Sequence, residues 1–232
     1  MIEIFGGVDK DGQKEEVEHI KIKKREWIGV VGVTGSGKSQ LLRDIYLKSD
    51  GSGRSRRIVR AKADIFMVSQ ALSFKRDYKV REFLELHTSA KNRGVDITEV
   101  LEFANRISHE PIEKNIYLSE LSGGQARALM FADAIVVVNS PVLIMDEIEN
   151  AGIKRVEVIE ALKKMKKTVI YATHDPLLAL LCKKRIYMRN GGMRKVIERD
   201  GYEKKVAERL VESYRDMEEI SNAIREGRRL SE

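Results

Sequence analysis

The chain has 232 residues, of which 42% are hydrophobic and 34% charged. That balance suits a folded chain with a proper core and excludes disordered or fibrous material. Lysine and arginine number 43 against 36 acidic residues, a net charge of +7; this small difference between two large numbers permits an anionic partner but identifies none. A lone cysteine, Cys182, excludes an internal disulfide framework and a multi-cysteine zinc site, and points to a reducing compartment. The N-terminus has no basic start followed by an apolar run, so no signal peptide is expected. No stretch approaches the ~18 apolar residues of a bilayer span, so any service to a membrane is expected from outside the lipid. Four glutamines and one cysteine beside many Lys, Glu and Arg resemble heat-adapted compositions.

In chain order, Glu26 to Val31 reads as a β-branched strand ending in a glycine-rich turn, and a helix is predicted over 38–48. A second strand, Asp64 to Val68, precedes Gln70. Helical patterns follow at 79–91, 96–107 and 123–139. Pro141 to Met145 reads as a buried strand before paired acids, 154–166 as a helix, and Thr168 to Ala172 as a strand before His174. Near-continuous apolar runs suit strands buried on both faces of a parallel sheet. Their alternation with helices predicts an α/β core. Ile186 to Met188 and Arg194 to Ile197, around Asn190-Gly191-Gly192, read as a hairpin. Residues 75–120 break the alternation and are read as an inserted helical subdomain. From about 203 the apolar residues Val206, Leu210, Tyr214, Met217, Ile220 and Ile224 recur at helical spacing, predicting an amphipathic helix that packs on the domain's own surface or, as the alternative, contacts a partner.

Two glycine-bearing turns carry the chemistry. Gly32-Val33-Thr34-Gly35-Ser36-Gly37-Lys38-Ser39 fits the phosphate-loop pattern G-x-x-x-x-G-K-[ST]. Its glycines let successive N–H groups point at phosphate oxygens, and the following helix adds its positive end. Lys38 would neutralise phosphates, the Ser39 hydroxyl suits Mg²⁺, and Gln40 follows directly. Asp146-Glu147, after a buried strand, sits where an open α/β sheet binds its ligand. There Asp146 would face the metal and Glu147 the attacking water. The second turn is Leu121-Ser122-Gly123-Gly124-Gln125, which opens a long helix.

At these residues the sequence closely resembles the ATP-binding cassette (ABC) ATPases. LSGGQ matches that family's signature letter for letter, Gln70 matches its Q-loop glutamine, and His174 in Ala172-Thr173-His174-Asp175 matches its switch histidine. The resemblance implies a single domain over 1–232 with a phosphate-loop NTPase core (about 1–72 and 126–200). It also implies a mostly parallel sheet, a small N-terminal β region, a helical subdomain at about 73–125 and a C-terminal helix at about 203–226. ATP and Mg²⁺ are the implied ligands, with Ser39, Gln70 and Asp146 toward the metal and Glu147, His174 and Lys38 in catalysis. Two cassettes would close head to tail, Ser122, Gly123, Gly124 and Gln125 of one chain facing the nucleotide on the other's phosphate loop. Phe5 is the candidate to stack on adenine; Tyr46 and Trp27 are read as core or surface residues.

The sequence departs from the family after the acid pair. Ile148 stands where a proline is common, and Ile153 where the D-loop aspartate is expected. Two roles fit: the nucleotide-binding subunit of a transporter with separate membrane subunits, peripheral on the cytoplasmic face, or a cytoplasmic cassette that remodels a protein or nucleic-acid complex. An intact Glu147 argues against a module that uses ATP only to dimerise. The basic clusters at Lys21 to Arg25, Arg54 to Arg57 and Lys163 to Lys167 lack interleaved aromatics. They are read as solvated faces rather than a nucleic-acid surface.

Overall fold

A computed structural model describes residues 1–68, 78–91, 94–146 and 152–230. Its strands are β1 (Ile2–Phe5), β2 (His19–Ile22), β3 (Trp27–Val31), β4 (Ile58–Ala61), β5 (Ile65–Val68), β6 (Val142–Asp146), β7 (Thr168–Ala172), β8 (Lys184–Arg189) and β9 (Gly192–Glu198). Six of them form one sheet in the order β5-β6-β7-β3-β8-β9, parallel from β5 to β8 with β9 antiparallel at the edge. The others form an antiparallel sheet, β2-β1-β4.

The apolar runs read from the sequence are buried on both sides, as a parallel sheet requires. Alternate residues of each strand serve different cores. Ile28, Val30, Val142, Ile144, Ile170 and Ala172 face a core shared with the small sheet and the helix that follows β3. Leu143, Met145, Val169 and Tyr171 face a second core, shared with the helices between β5 and β6. A one-residue slip in any central strand would exchange the two sets. The three strands of the small sheet carry no equivalent run. In β1 only Ile2 and Ile4 are buried, and the alternating Glu3 and Phe5 are half-exposed. Four residues of alternation give too little signal to place a strand.

The helices are α1 (Lys38–Tyr46), α2 (Val80–Lys91), α3 (Ile97–Ile107), α4 (Gly123–Ala132), α5 (Arg155–Lys164), α6 (Pro176–Leu181) and α7 (Gly201–Arg225). Lys48, at φ 50°, lies just past α1 and ends it short of the predicted boundary. The predicted helix at 123–139 splits: α4 widens into a π-helical stretch, Asp133–Val138, which ends at Asn139 in the left-handed region. Helix α6 escaped the pattern reading although its start is signalled. Asp175 caps it through the Leu178 amide, and Pro176 fills the first turn, where a missing N–H costs nothing. Helix α7 packs Leu210, Val211 and Tyr214 against the helical core. Farther along, Met217 and Ile224 are largely exposed.

Candidate functional site

Strand register assembles the site. Val30 pairs with Ala172, and Ala172 with Asp146. Asp146, His174 and the loop after Val31 therefore leave the sheet side by side at its C-terminal edge. The loop curls into α1 through Gly37, which caps the helix at φ 98°. A side chain at Gly37 would also collide with Gly191 in the β8–β9 turn, since a Cβ there would lie 2.8 Å from the Gly191 Cα. Position 37 thus needs glycine for conformation and for space.

Lys38 is buried, and its ammonium lies 3.0 Å from the Gly32 carbonyl, 3.2 Å from that of Val33 and 3.1 Å from His174 Nε2. A charged ammonium can only donate, so Nε2 accepts and His174 carries its proton on Nδ1. The structure therefore joins two residues 136 positions apart, both singled out from sequence. Ser39 and Gln40 are exposed at the start of α1, Gln40 Nε2 donating to Asp44 at 2.7 Å. Ser36 Oγ is buried and meets no hydrogen-bond partner among the described residues. Such an orphaned polar atom suits a loop whose remaining partners come from a ligand.

The loop is braced from below by a polar core. Arg57 is fully buried and donates to Glu15 at 2.6 Å, to Asp44 at 2.8 Å and to the Gly191 carbonyl. Burial opposes its charge, but the hydrogen bonds and charges of Glu15, then Asp44, outweigh that and raise its pKa above the usual arginine value. Glu15 also accepts from the Gly7 and Met193 amides. One guanidinium thus ties together the N-terminal segment, α1 and the β8–β9 turn, and Gly191 in turn donates its N–H to the Ser36 carbonyl at 2.8 Å. From the surface, Lys10 donates to the Gly35 carbonyl at 2.8 Å. The sequence places Arg57 in the Arg54 to Arg57 cluster, read as a solvated face; the structure corrects this, since Arg57 is fully buried, and Lys167 of the Lys163 to Lys167 cluster is buried as well. Lys10 was not singled out; the partners of Arg57 and Lys10 come from remote segments, and no spacing rule connects them.

Phe5 is engaged elsewhere. Its ring stacks on His19 with centroids 4.7 Å apart, and Arg60 lies over it at 5.0 Å. A depression of about 750 Å³ beside Gly37 and Gln40 is instead walled by Val8, Asp9, Lys10 and the 52–56 segment.

Ser122 caps α4 in a reciprocal box with Gln125: each backbone N–H bonds the other's side chain, at 2.9 and 3.3 Å. Ser122 Oγ also reaches Glu110, and Gln125 Nε2 reaches the Pro111 carbonyl. None of these bonds reaches the phosphate loop. Ser122 and Gly123 are exposed, and a Cβ at Gly123 would meet open space. Gly124, by contrast, lies against Gly152, where a Cβ would come within 2.8 Å of the carbonyl oxygen. Ile153, next in the chain, is buried in the helical core, and Lys154 donates its N–H to Ile107. The aliphatic residue at the expected aspartate position is a packing residue that pins this segment to α3. Gln70, Glu147 and Ile148 lie outside the described residues.

The family model described as ABC transporter matches residues 17–150. An uncharacterized ABC transporter ATP-binding protein of Methanocaldococcus jannaschii is 43% identical over 99% of this chain and 94% of its own length. An sn-glycerol-3-phosphate import ATP-binding protein of Rhizobium etli is 31% identical over 75% of this chain, which spans 54% of that relative. Among solved structures, a dimeric bacterial ABC transporter cassette superposes with a TM-score of 0.68 at 22% identity, over 87% of this chain and all of the other. CbiO1 from Clostridium perfringens, part of an ABC transporter complex, gives 0.59 at 22% identity, over 93% of this chain and 98% of its own. The chain belongs to the ABC transporter family. Within it, the chain is the ATP-binding cassette, the ATPase component, and among the described residues no helix is long and apolar enough to cross a membrane.

Proposed function

We propose that this cassette binds Mg-ATP between two copies of itself and hydrolyses it to drive separate membrane subunits, from the cytoplasmic face of the membrane. The observation that carries this reading is the separation of its two glycine turns. The phosphate loop holds Lys38 and His174 together, while the signature turn bonds only its own surroundings and leaves Ser122 and Gly123 open. An exposed helix start is a ready place for an anion. A triphosphate on a second chain supplies one.

On nucleotide binding the Lys38 ammonium exchanges two backbone carbonyls for phosphate oxygens, and the charge-assisted bonds gained are the stronger ones. His174 then holds the γ-phosphate and positions Glu147, which orients or deprotonates the attacking water. Ser39 and Asp146 are hard oxygen donors beside the loop. Among the described residues no three His, Cys, Asp or Glu side chains cluster to hold an ion alone. Mg²⁺ typically takes one or two protein oxygens and fills its shell with phosphate and water, and Gln70 is assigned to the same role. When bound, the ion neutralises charge developing on the phosphate oxygens. Ile153 has a packing role, so the altered D-loop calls for no change of job, and the two named relatives are described as an ABC transporter ATP-binding protein and an sn-glycerol-3-phosphate import ATP-binding protein.

The test is Glu147→Gln. The variant should bind ATP normally, cease turnover and elute as a dimer only with ATP and Mg²⁺. Hydrolysis at the normal rate would refute the assignment of Glu147; a monomer at saturating ATP would refute the shared site.

A further inference from the structure

The parallel strands have a second end. At the N-terminal edge of β3, β7 and β8, opposite the phosphate loop, lies a trough of about 870 Å³ lined by ten lysine and arginine side chains and only three acids, Glu26, Glu198 and Asp200. Strands of this length set the two edges roughly 15 Å apart, so the trough is separate from the nucleotide site. The fold brings together two basic clusters that are 140 residues apart in sequence and adds Lys183 between them. Lys23, Lys24, Arg25, Lys163, Lys166 and Lys183 are exposed and have no ion pair among the described residues. The other cations are already engaged: Lys184 by Glu26 and Glu198, Arg199 and Lys167 by backbone carbonyls, Lys204 by Glu208. A shallower depression of about 370 Å³ shares Lys23, Lys24, Arg25, Lys166 and Lys167 and prolongs the trough toward Asn139.

Much of this charge has no structural role among the described residues. Helix-end electrostatics account for Lys163, in the last turn of α5. Nothing similar accounts for Lys23, Lys24, Arg25 or Lys183. Arg25 and Lys166 moreover occupy left-handed turn positions, at φ 64° and 51°, where glycine or asparagine is the ordinary choice. Between the clusters the trough is lined by Trp27, the one tryptophan in the chain, half-buried and edge-on to Tyr171 at 6.3 Å. The sequence showed no aromatic within either cluster; the fold supplies one between them.

We propose that this trough binds single-stranded nucleic acid, its phosphates on the six unpaired cations and a base against Trp27. A groove of lysines with an aromatic beside it is how single strands are held without sequence preference. A lipid surface fits less well. The trough is concave, and its apolar lining, Trp27 and Leu181, is half-buried, leaving no exposed wedge for headgroups.

Trp27 makes the test direct. A single-stranded oligothymidylate, titrated into the intact protein at low salt, should quench tryptophan fluorescence saturably. The logarithm of affinity should fall with the logarithm of salt at a slope of about −4, from about 0.7 per phosphate over six contacts. The combined variant Lys23→Glu, Lys24→Glu, Lys163→Glu and Lys166→Glu should bind on the order of 100-fold more weakly while hydrolysing ATP at the wild-type rate. Reversing Lys195, Lys205, Arg209 and Arg229, exposed elsewhere, should cost far less affinity. The proposal fails if the oligonucleotide neither quenches nor binds, or if both variants lose affinity equally. It also fails if vesicles of phosphatidylcholine and phosphatidylserine quench Trp27 and the oligonucleotide does not. ATP affinity measured on the same samples keeps a failure here distinct from a failure of the nucleotide-site reading.

Discussion

The two glycine turns of this cassette are built in opposite ways. The phosphate loop is fixed from several remote segments: Lys10 from the surface, the Gly191 turn at its side, and the buried Arg57 network beneath. The signature turn is fixed locally. Its capping box, the nearby Glu110 and Pro111, and the contact with Gly152 are its main restraints. The first is a finished binding surface. The second is an exposed helix start, which the proposed function assigns to the nucleotide on a second copy. Restraint is thus concentrated at the phosphate loop, and the signature turn, the surface proposed to dock on a second copy, is held by fewer contacts.

The largest effect should come from disabling each half in turn. Lys38→Ala removes a charge donor from the transferred phosphate, and kcat should fall by roughly 100- to 1,000-fold, with weaker ATP binding. Ser122→Phe blocks the open helix start and should impair turnover while leaving ATP affinity of the monomer intact. Mixing the two inactive variants should restore part of the activity, because a mixed dimer contains one intact pair of halves. A steady-state ATPase assay that shows no recovery would mean the halves are not exchanged between chains.

The bracing predicts a second contrast. Arg57→Leu leaves Glu15 and Asp44 buried without their cation, which costs about 3–5 kcal/mol. Urea unfolding should register this loss. The triple change Glu15→Gln, Asp44→Asn and Arg57→Met should recover much of it, since no lone charge then remains buried. Destabilisation of the triple variant as severe as the single one would show that the network matters for shape rather than charge.

What was readable in the sequence follows the same division. Lys38, His174 and the LSGGQ turn stand in contiguous motifs, each next to an apolar run long enough to mark a strand or helix. The order of motifs therefore carried the fold and pointed to Lys38 and His174, which the structure brings together. Glu15, Asp44, Arg57 and Lys10 look like any surface charges, because what makes them special is a meeting of distant segments. The basic trough was legible only in part. Its clusters were visible, but their convergence on Trp27 is set by strand order, and local sequence does not encode that order.

The smallest effect concerns the lightly held half. Behind α4, His87 of α2 meets Asp133 at 2.7 Å, where α4 passes into the π-helical stretch. The hydrogen bond to Asp133 lifts the His87 pKa above its usual value, burial and Lys91 opposing. A folded-state value above the unfolded one, about 6.5, means the pair's contribution is complete below that pH and fades as pH rises through the lifted value. The pair is partly solvated, so the effect should stay under about 1 kcal/mol. Corrected amide exchange should show α4 losing protection between about pH 6 and pH 8, and His87→Gln should abolish that trend. Helix α1, held by an arginine that stays charged across this range, should show none. Equal pH trends in both helices would mean that the signature side is not pinned by this titratable contact, and the contrast between the two turns would then rest on connectivity alone.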